Sequence, residues 1–383
     1  MADQRSATDA GVLALQHGDP RTARGHFQTV LRGNPRDAQA WLYLAHSCQI
    51  SGDLTGAEAA ADRLLALERG NLYALLIKGE IRLAAGDERA ASSYLTFALQ
   101  SATAAPDVPP DLRARLRSAD DAVVTIQAKF RAHLDRQLAD AAVDPAAQPG
   151  RFREALDILS GTATVQLQQP TSFFYPGLPH TSFFPTGGLD WVAALEAAVP
   201  AMRAEVEAVL AQDHGFEPYI VAEPNRPNRD HALRDDIRWS ALHLWQGGVI
   251  VPANATRCPR TMALLAAAPM PAIAGRSPMA LFSQLRPRTH IPPHHGMLNT
   301  RLICHIPLIV PDGCRLRVGN ETRAVRTGEA MLFDDSIEHE AWNDSDDVRV
   351  VLLFEVWRPE LTPQERAGLT ALFEAPGSYG ATG

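Results

Sequence analysis

The chain has 383 residues, of which 46% are hydrophobic and 21% charged, with a formal net charge of −8. That length calls for two or more domains, and the acidic balance argues against a nucleic-acid partner, which wants a basic face. Four cysteines (Cys48, Cys258, Cys304, Cys314) without a C-x-x-C pair indicate neither a zinc knuckle nor a disulfide scaffold, and read as reduced thiols.

The N-terminal residues lack the apolar core of a signal peptide, and no apolar run approaches the roughly 18 residues of a membrane span, so a cytoplasmic protein without a membrane partner is expected. Gly18-Asp19, Gly52-Asp53 and Gly86-Asp87 then recur every 34 residues, and Gly11, Ala45, Gly79 and Ala23, Ala57, Ala91 keep the same period. The stretch from Ala7 to about Ser101 resembles tetratricopeptide repeats, whose helix-turn-helix units have this period. Small residues let the paired helices approach, and Gly-Asp makes the turn between them. Trp41, Leu44, Ala45 and Cys48 suit the first helix of the second repeat. Asn34-Pro35 closes the first repeat, whereas Arg69-Gly70 stands where the second would carry a proline. After a break at Ala105-Pro-Asp-Val-Pro-Pro, residues 111–142 space Leu112, Leu116, Val123, Ile126 and Phe130 on one face, as a capping helix would. Asp144 to Gly150, with two prolines and a glycine, is the expected boundary between a helical domain over 1–143 and a second domain over 151–375.

Beyond it, Thr171-Ser-Phe-Phe-Tyr-Pro and Thr181-Ser-Phe-Phe-Pro are near-copies, expected to anchor aromatic rings in a core rather than to bind a ligand. Asp190 is expected to cap one helix with Leu195, Val199, Met202, Val206 and Leu210 inside and a kink at Pro200. The arginine-rich run Asn225 to Arg238 reads as a solvated loop. From Met279 short β segments alternate with turns, among them a tight hairpin at Gly319-Asn320. Several such strands in series suggest a cupin-like jelly roll.

Two polar blocks stand out: Pro292-Pro-His-His-Gly and Phe333-Asp-Asp-Ser-Ile-Glu-His-Glu. Each puts a histidine, His294 or His339, before a run that reads as buried strand, Ile303 to Val310 or Val348 to Trp357. Two imidazoles brought together by strands suit Fe(II) and leave positions open for substrate and O2. An oxidative metal site is therefore expected.

The run from Ser283 to Glu365 is similar to the catalytic domain of the aspartyl/asparaginyl β-hydroxylase family. The resemblance is carried by Pro293-His-His-Gly, Asn299-Thr-Arg-Leu, His305-Ile-Pro-Leu-Ile-Val-Pro, the Phe333 block and Val356-Trp-Arg-Pro-Glu-Leu, and extends more weakly back through Trp245 and Trp239 towards Phe173. It implies an α+β multidomain chain, with the helical repeats followed by a double-stranded β-helix (jelly-roll) domain. It implies Fe(II), 2-oxoglutarate as co-substrate, and O2, one oxygen atom entering a C–H bond as 2-oxoglutarate is decarboxylated. It further implies His294 and His339 as metal ligands, with Ser283, His305 and Arg349 holding 2-oxoglutarate. Arginine binds a carboxylate with a fork of N–H groups, and Arg349 opens the apolar run Val350 to Phe354, where an unpaired charge is costly. Between Cys304 and Ile306, His305 reads equally as a satisfied core histidine.

Two positions depart from common patterns. Gly296 stands where many iron oxygenases carry a third-ligand carboxylate, which the resemblance accommodates with two protein ligands. Ile303 stands where relatives can carry an arginine for 2-oxoglutarate, so that either His305 suffices, or Arg301 or another cation compensates, or co-substrate binding is weaker. Asp335 is expected to support a ligand histidine. The resulting expectation is a hydroxylase acting on the β-carbon of Asp, Asn or a related residue in a peptide or protein that the repeats recruit. The alternatives are a repeat-based scaffold with an inactive oxygenase domain, and a hydroxylase of a free amino acid or small molecule.

Overall fold

The computed structural model describes residues 2–103, 107–212, 215–222 and 231–378, which fall into two compact units divided between Thr164 and Val165. Asn225, Arg226 and Arg229 of the arginine-rich run, and Ala105 of the Pro-rich break, lie outside the described residues.

The first unit is helical: α1 (Ala2–Gln16), α2 (Pro20–Gly33), α3 (Ala38–Ile50), α4 (Leu54–Leu67), α5 (Leu72–Ala84), α6 (Glu88–Thr103), α7 (Pro110–Asp140) and α8 (Gly150–Ser160). The repeat chemistry acts as its spacing predicts. Gly18, Gly52 and Gly86 adopt φ of 75°, 78° and 76°, which L side chains rarely take. The aspartate after each accepts a hydrogen bond from a backbone N–H in the next helix: Asp19 from Thr22, Asp53 from Gly56 and Asp87 from Ala90. Ala23, Ala45, Ala57 and Ala91 are fully buried between helices. A Cβ on Gly11 would meet the Phe27 ring at 2.7 Å, which is why helix pairing selects glycine there. Helix α7 buries Leu112, Val123 and Ile126, three of the five positions on the expected face, while Phe130 is exposed. The division differs from the expected boundary because α8 packs on α7, helped by an Arg131–Asp157 ion pair; residues 151–164 thus go with the helical unit.

The second unit begins with β1 (Phe183–Phe184), α9 (Asp190–Ala197), α10 (Val199–Leu210), β2 (Glu217–Pro218), β3 (Trp239–Gln246), β4 (Val249–Ile250), α11 (Pro252–Ala255) and α12 (Pro259–Leu265). Strands β5 (Ala280–Leu285), β6 (Thr289–His294), β7 (Arg301–Ile309), β8 (Cys314–Val318), β9 (Glu321–Ala324), β10 (Met331–Phe333), β11 (His339–Asn343) and β12 (Arg349–Trp357) follow, then α13 (Pro363–Ser378). One antiparallel sheet runs β1-β10-β7-β12-β5-β3-β2 with β4 on β3, and the other β6-β11-β8-β9. Ile291, Leu316, Val318 and Ala341 of the smaller sheet share a core with Leu281, Leu285, Ile303 and Leu353 of the larger. On its other face the larger sheet is covered by α10, whose Met202 and Val206 pack among Leu302, Ile306 and Leu352.

The single kinked helix expected from Asp190 is two helices. Ala198 separates them, Pro200 lies in the first turn of the second, and Asp190 is already helical, with Leu189 at the cap. Proline lacks the N–H that a first turn leaves unused, so Pro200 starts a helix instead of bending one. The aromatic copies anchor as expected through Phe173, Phe183 and Phe184, while Phe174 is exposed. Gly319, at φ 58°, makes the two-residue turn that pairs Val318 with Glu321.

Candidate active site

His294 ends β6 and His339 begins β11, and these two positions pair directly across the ladder. Their rings therefore meet, with centroids 4.1 Å apart. Each Nδ1 lies within hydrogen-bond distance of the carbonyl two residues back, His294 to Pro292 at 2.8 Å and His339 to Ile337 at 3.1 Å. A carbonyl only accepts, so Nδ1 carries the proton and Nε2 presents a lone pair, the tautomer a metal-binding imidazole needs. Burial holds both rings below the ordinary histidine range, and for His339 the neighbouring His294 adds to it. Both stay neutral at pH 7.

A cavity of about 300 Å³ opens between the sheets beside this pair, and all five sequence-predicted site residues line it. Ser283 sits mid-way along β5, its Oγ accepting a 3.2 Å hydrogen bond from Trp239 Nε1. Its own proton is thereby left to donate elsewhere. His305 on β7 is buried with no partner for Nδ1, and burial pushes it down to about 3. It is not a satisfied core histidine. Arg349, at the start of β12, is 3% exposed. Its Nε and Nη1 have no hydrogen-bond partner, and burial pulls the guanidinium from 12.5 to about 10. Among the described residues no carboxylate pairs with it. A buried cation of this kind is a large cost unless an anion joins it.

Arg301 lines the same cavity, held by two carboxylates and with its Nε left without a hydrogen-bond partner. Its Nη1 donates to Glu355 at 2.6 Å and its Nη2 to Asp335 at 3.2 Å, all three groups being buried. Asp335, expected to support a ligand histidine, is instead held by Arg301, because both histidine Nδ1 atoms face main-chain carbonyls; burial raises its carboxyl to about 6. Its main chain also accepts from Gly296 N–H at 2.6 Å. A side chain on Gly296 would overlap the Asp335 carboxylate, so glycine at 296 follows from packing as well as from any metal chemistry. No group of three His, Cys, Asp or Glu placed to share a metal occurs among the described residues. His294 and His339 are a pair.

The loop before His339 is fixed by a second buried network. Arg358 and Asp334, both 0% exposed, form a 2.5 Å ion pair; Gln168 donates from Nε2 to the same aspartate, and its Oε1 accepts from Asn299 Nδ2. Sequence reading missed Tyr219, which stacks on Trp239 at 4.2 Å and whose phenol burial pushes up to about 12. Nothing in its local sequence signals this, because its partner lies twenty positions on.

Residues 196–359 match the family model described as aspartyl/asparaginyl beta-hydroxylase, and residues 8–71 match a tetratricopeptide-repeat model. The chain carries an aspartyl/asparaginyl beta-hydroxylase domain behind tetratricopeptide repeats. It is 36% identical over 189 residues to human aspartyl/asparaginyl beta-hydroxylase, covering 49% of this chain and 24% of that protein. It is 33% identical over 192 residues to the ornithine lipid ester-linked acyl 2-hydroxylase of Rhizobium tropici, covering 49% and 65%. The chain therefore spans about a quarter of the first relative's length and just under two thirds of the second's. The helical unit is similar to the Arabidopsis OM64 TPR domain, at 14% identity and a TM-score of 0.28, covering 32% of this chain and 94% of that one. That these relatives are named hydroxylases supports hydroxylase activity.

Proposed function

We propose that the β domain is a 2-oxoglutarate- and Fe(II)-dependent hydroxylase acting on a C–H bond of a peptide or protein that the repeats recruit. The observation that carries this reading is Arg349, a buried guanidinium without a partner in the same cavity as two neutral, facing imidazoles. That donor set fits the cofactors. His294 and His339 would hold the iron through Nε2, while Arg349, with Ser283 Oγ and His305, would hold the carboxylates of 2-oxoglutarate. When bound, iron, O2 and 2-oxoglutarate supply the oxidation: one oxygen atom enters the C–H bond as hydroxyl, and the other leaves in succinate as CO2 is lost. The chain's own part is positioning. The carbonyls of Pro292 and Ile337 fix the tautomer and aim of the two rings, Trp239 orients the Ser283 hydroxyl, and Ile291, Leu316 and Leu353 keep the cavity apolar. A scaffold with an inactive domain would retain the cost of Arg349 without return.

The relatives' names do not agree on a substrate, one being an aspartyl/asparaginyl and the other an acyl hydroxylase. Recruitment of a peptide or protein rests on the repeats, whose stacked helix pairs offer an extended surface. Anaerobic calorimetry with Mn(II) tests the core of the reading. 2-Oxoglutarate should bind only when the metal is present, and metal-independent binding, or none, would reject it.

A further inference from the structure

We propose that residues 168–173 clasp the two histidine loops together and so set the affinity of the pair for iron, with Gln168 as the positioning residue. This rests on the assignment of His294 and His339 to the metal. The clasp begins just past the helical unit, which ends at Thr164, and lies outside the residues 196–359 that match the family model. It binds both loops at once. Gln169 N–H donates to the Ser336 carbonyl at 2.7 Å, three positions before His339. Thr171 N–H donates to the Gly296 carbonyl at 2.9 Å, two positions after His294, and Ser172 and Phe173 N–H donate to the Met297 carbonyl at 3.0 Å. The buried Gln168 side chain repeats the bridge. Its Nε2 donates to Asp334 at 2.7 Å on the His339 loop, and its Oε1 accepts from Asn299 at 2.9 Å on the His294 loop. Arg358 backs it, donating to Asp334 and, at 3.4 Å, to the Asn299 carbonyl.

The ladder explains why a clasp matters. His294 and His339 are the last rung between β6 and β11, with a register shift between His339 and Ala341. A terminal rung beside a bulge is where a ladder opens first. The carbonyls of Pro292 and Ile337 aim each ring but travel with their own loops, so they do not fix the distance between the rings. Among the described residues no third His, Cys, Asp or Glu shares the metal position. Two imidazoles chelate an ion only when their separation is already right; if one loop drifts, a single ring is left to hold it.

The test measures Mn(II) binding to the full chain by calorimetry, then 2-oxoglutarate binding at saturating Mn(II). Gln168→Met keeps the volume and removes both side-chain bonds. It should raise the Mn(II) Kd roughly ten- to hundred-fold, the usual effect of losing a group that orients metal ligands. The 2-oxoglutarate Kd should stay at the native value, because Ser283, His305 and Arg349 stand on β5, β7 and β12, which none of these bonds reaches. Gln168→Glu, a second variant, keeps the shape and the Asn299 bond but sets two carboxylates against each other, and should weaken Mn(II) as well. Met202→Ala is the control for a purely structural role: it opens a cavity in the core on the other face of the larger sheet, and should lower the urea midpoint with both constants native. A native Mn(II) Kd in either folded Gln168 variant would overturn the proposal. So would Mn(II) and 2-oxoglutarate affinities falling together, an equal loss of Mn(II) in Met202→Ala, or failure of both Gln168 variants to fold. Absence of Mn(II) binding in the native protein would instead remove the metal assignment beneath it.

Discussion

Replacing Arg349 by methionine should make the protein more stable and functionally blind. The guanidinium is buried at 3% exposure with Nε and Nη1 unpaired, and its fall from 12.5 to about 10 corresponds to about 3 kcal/mol of cost to the charged form. At pH 7 the group is protonated in both the folded and unfolded chain, so the whole cost is felt there. Methionine fills similar space without a charge to desolvate. Without ligand, Arg349→Met should therefore gain up to about 3 kcal/mol, or roughly 6–12 °C in Tm for a unit of this size. In the native protein, Mn(II) with 2-oxoglutarate at about 100 times its Kd should restore about 2.7 kcal/mol through linkage. In the variant 2-oxoglutarate should add nothing. Differential scanning fluorimetry on both proteins, with Mn(II) and with or without 2-oxoglutarate, reads all four states. A variant less stable than the native protein without ligand, or one that still shifts with 2-oxoglutarate, would refute the reasoning.

His294→Ala and His339→Ala should each abolish iron binding and uncoupled conversion of 2-oxoglutarate to succinate with the far-UV circular dichroism unchanged; full iron stoichiometry in either variant would exclude that residue as a ligand. Gly296→Asp should not tighten iron but lower stability by about 1–3 kcal/mol, because the new side chain overlaps the Asp335 carboxylate that Arg301 holds; urea midpoints check this. Burial keeps His305 neutral in the fold down to about pH 3, while the unfolded chain takes up a proton there near pH 6.5. Stability should fall as pH drops between those values, by about 2 kcal/mol at pH 5 from this residue, and His305→Gln should flatten that part of the stability–pH curve. A chain beginning at Val165 should keep uncoupled turnover but show a raised KM for a protein substrate, since recruitment contacts bind ground and transition state alike.

The helical unit was legible in the sequence because its determinants are local: a 34-residue period, glycines at positive φ and aspartates that cap the next helix all act within a few residues of themselves. The two histidine blocks stood out as polar runs beside strands, whereas Arg349 was singled out through the family resemblance; the structure brings all three to one cavity. Tertiary structure alone decided which groups those residues meet. The register that pairs His294 with His339, the capture of Arg301 by Asp335 and Glu355 across 34 and 54 positions, and the collision that keeps 296 a glycine all arise between distant strands. Whether a buried charge is satisfied or left waiting for a ligand depends on what the fold places within about 4 Å of it, and that distance is not written in the order of the residues.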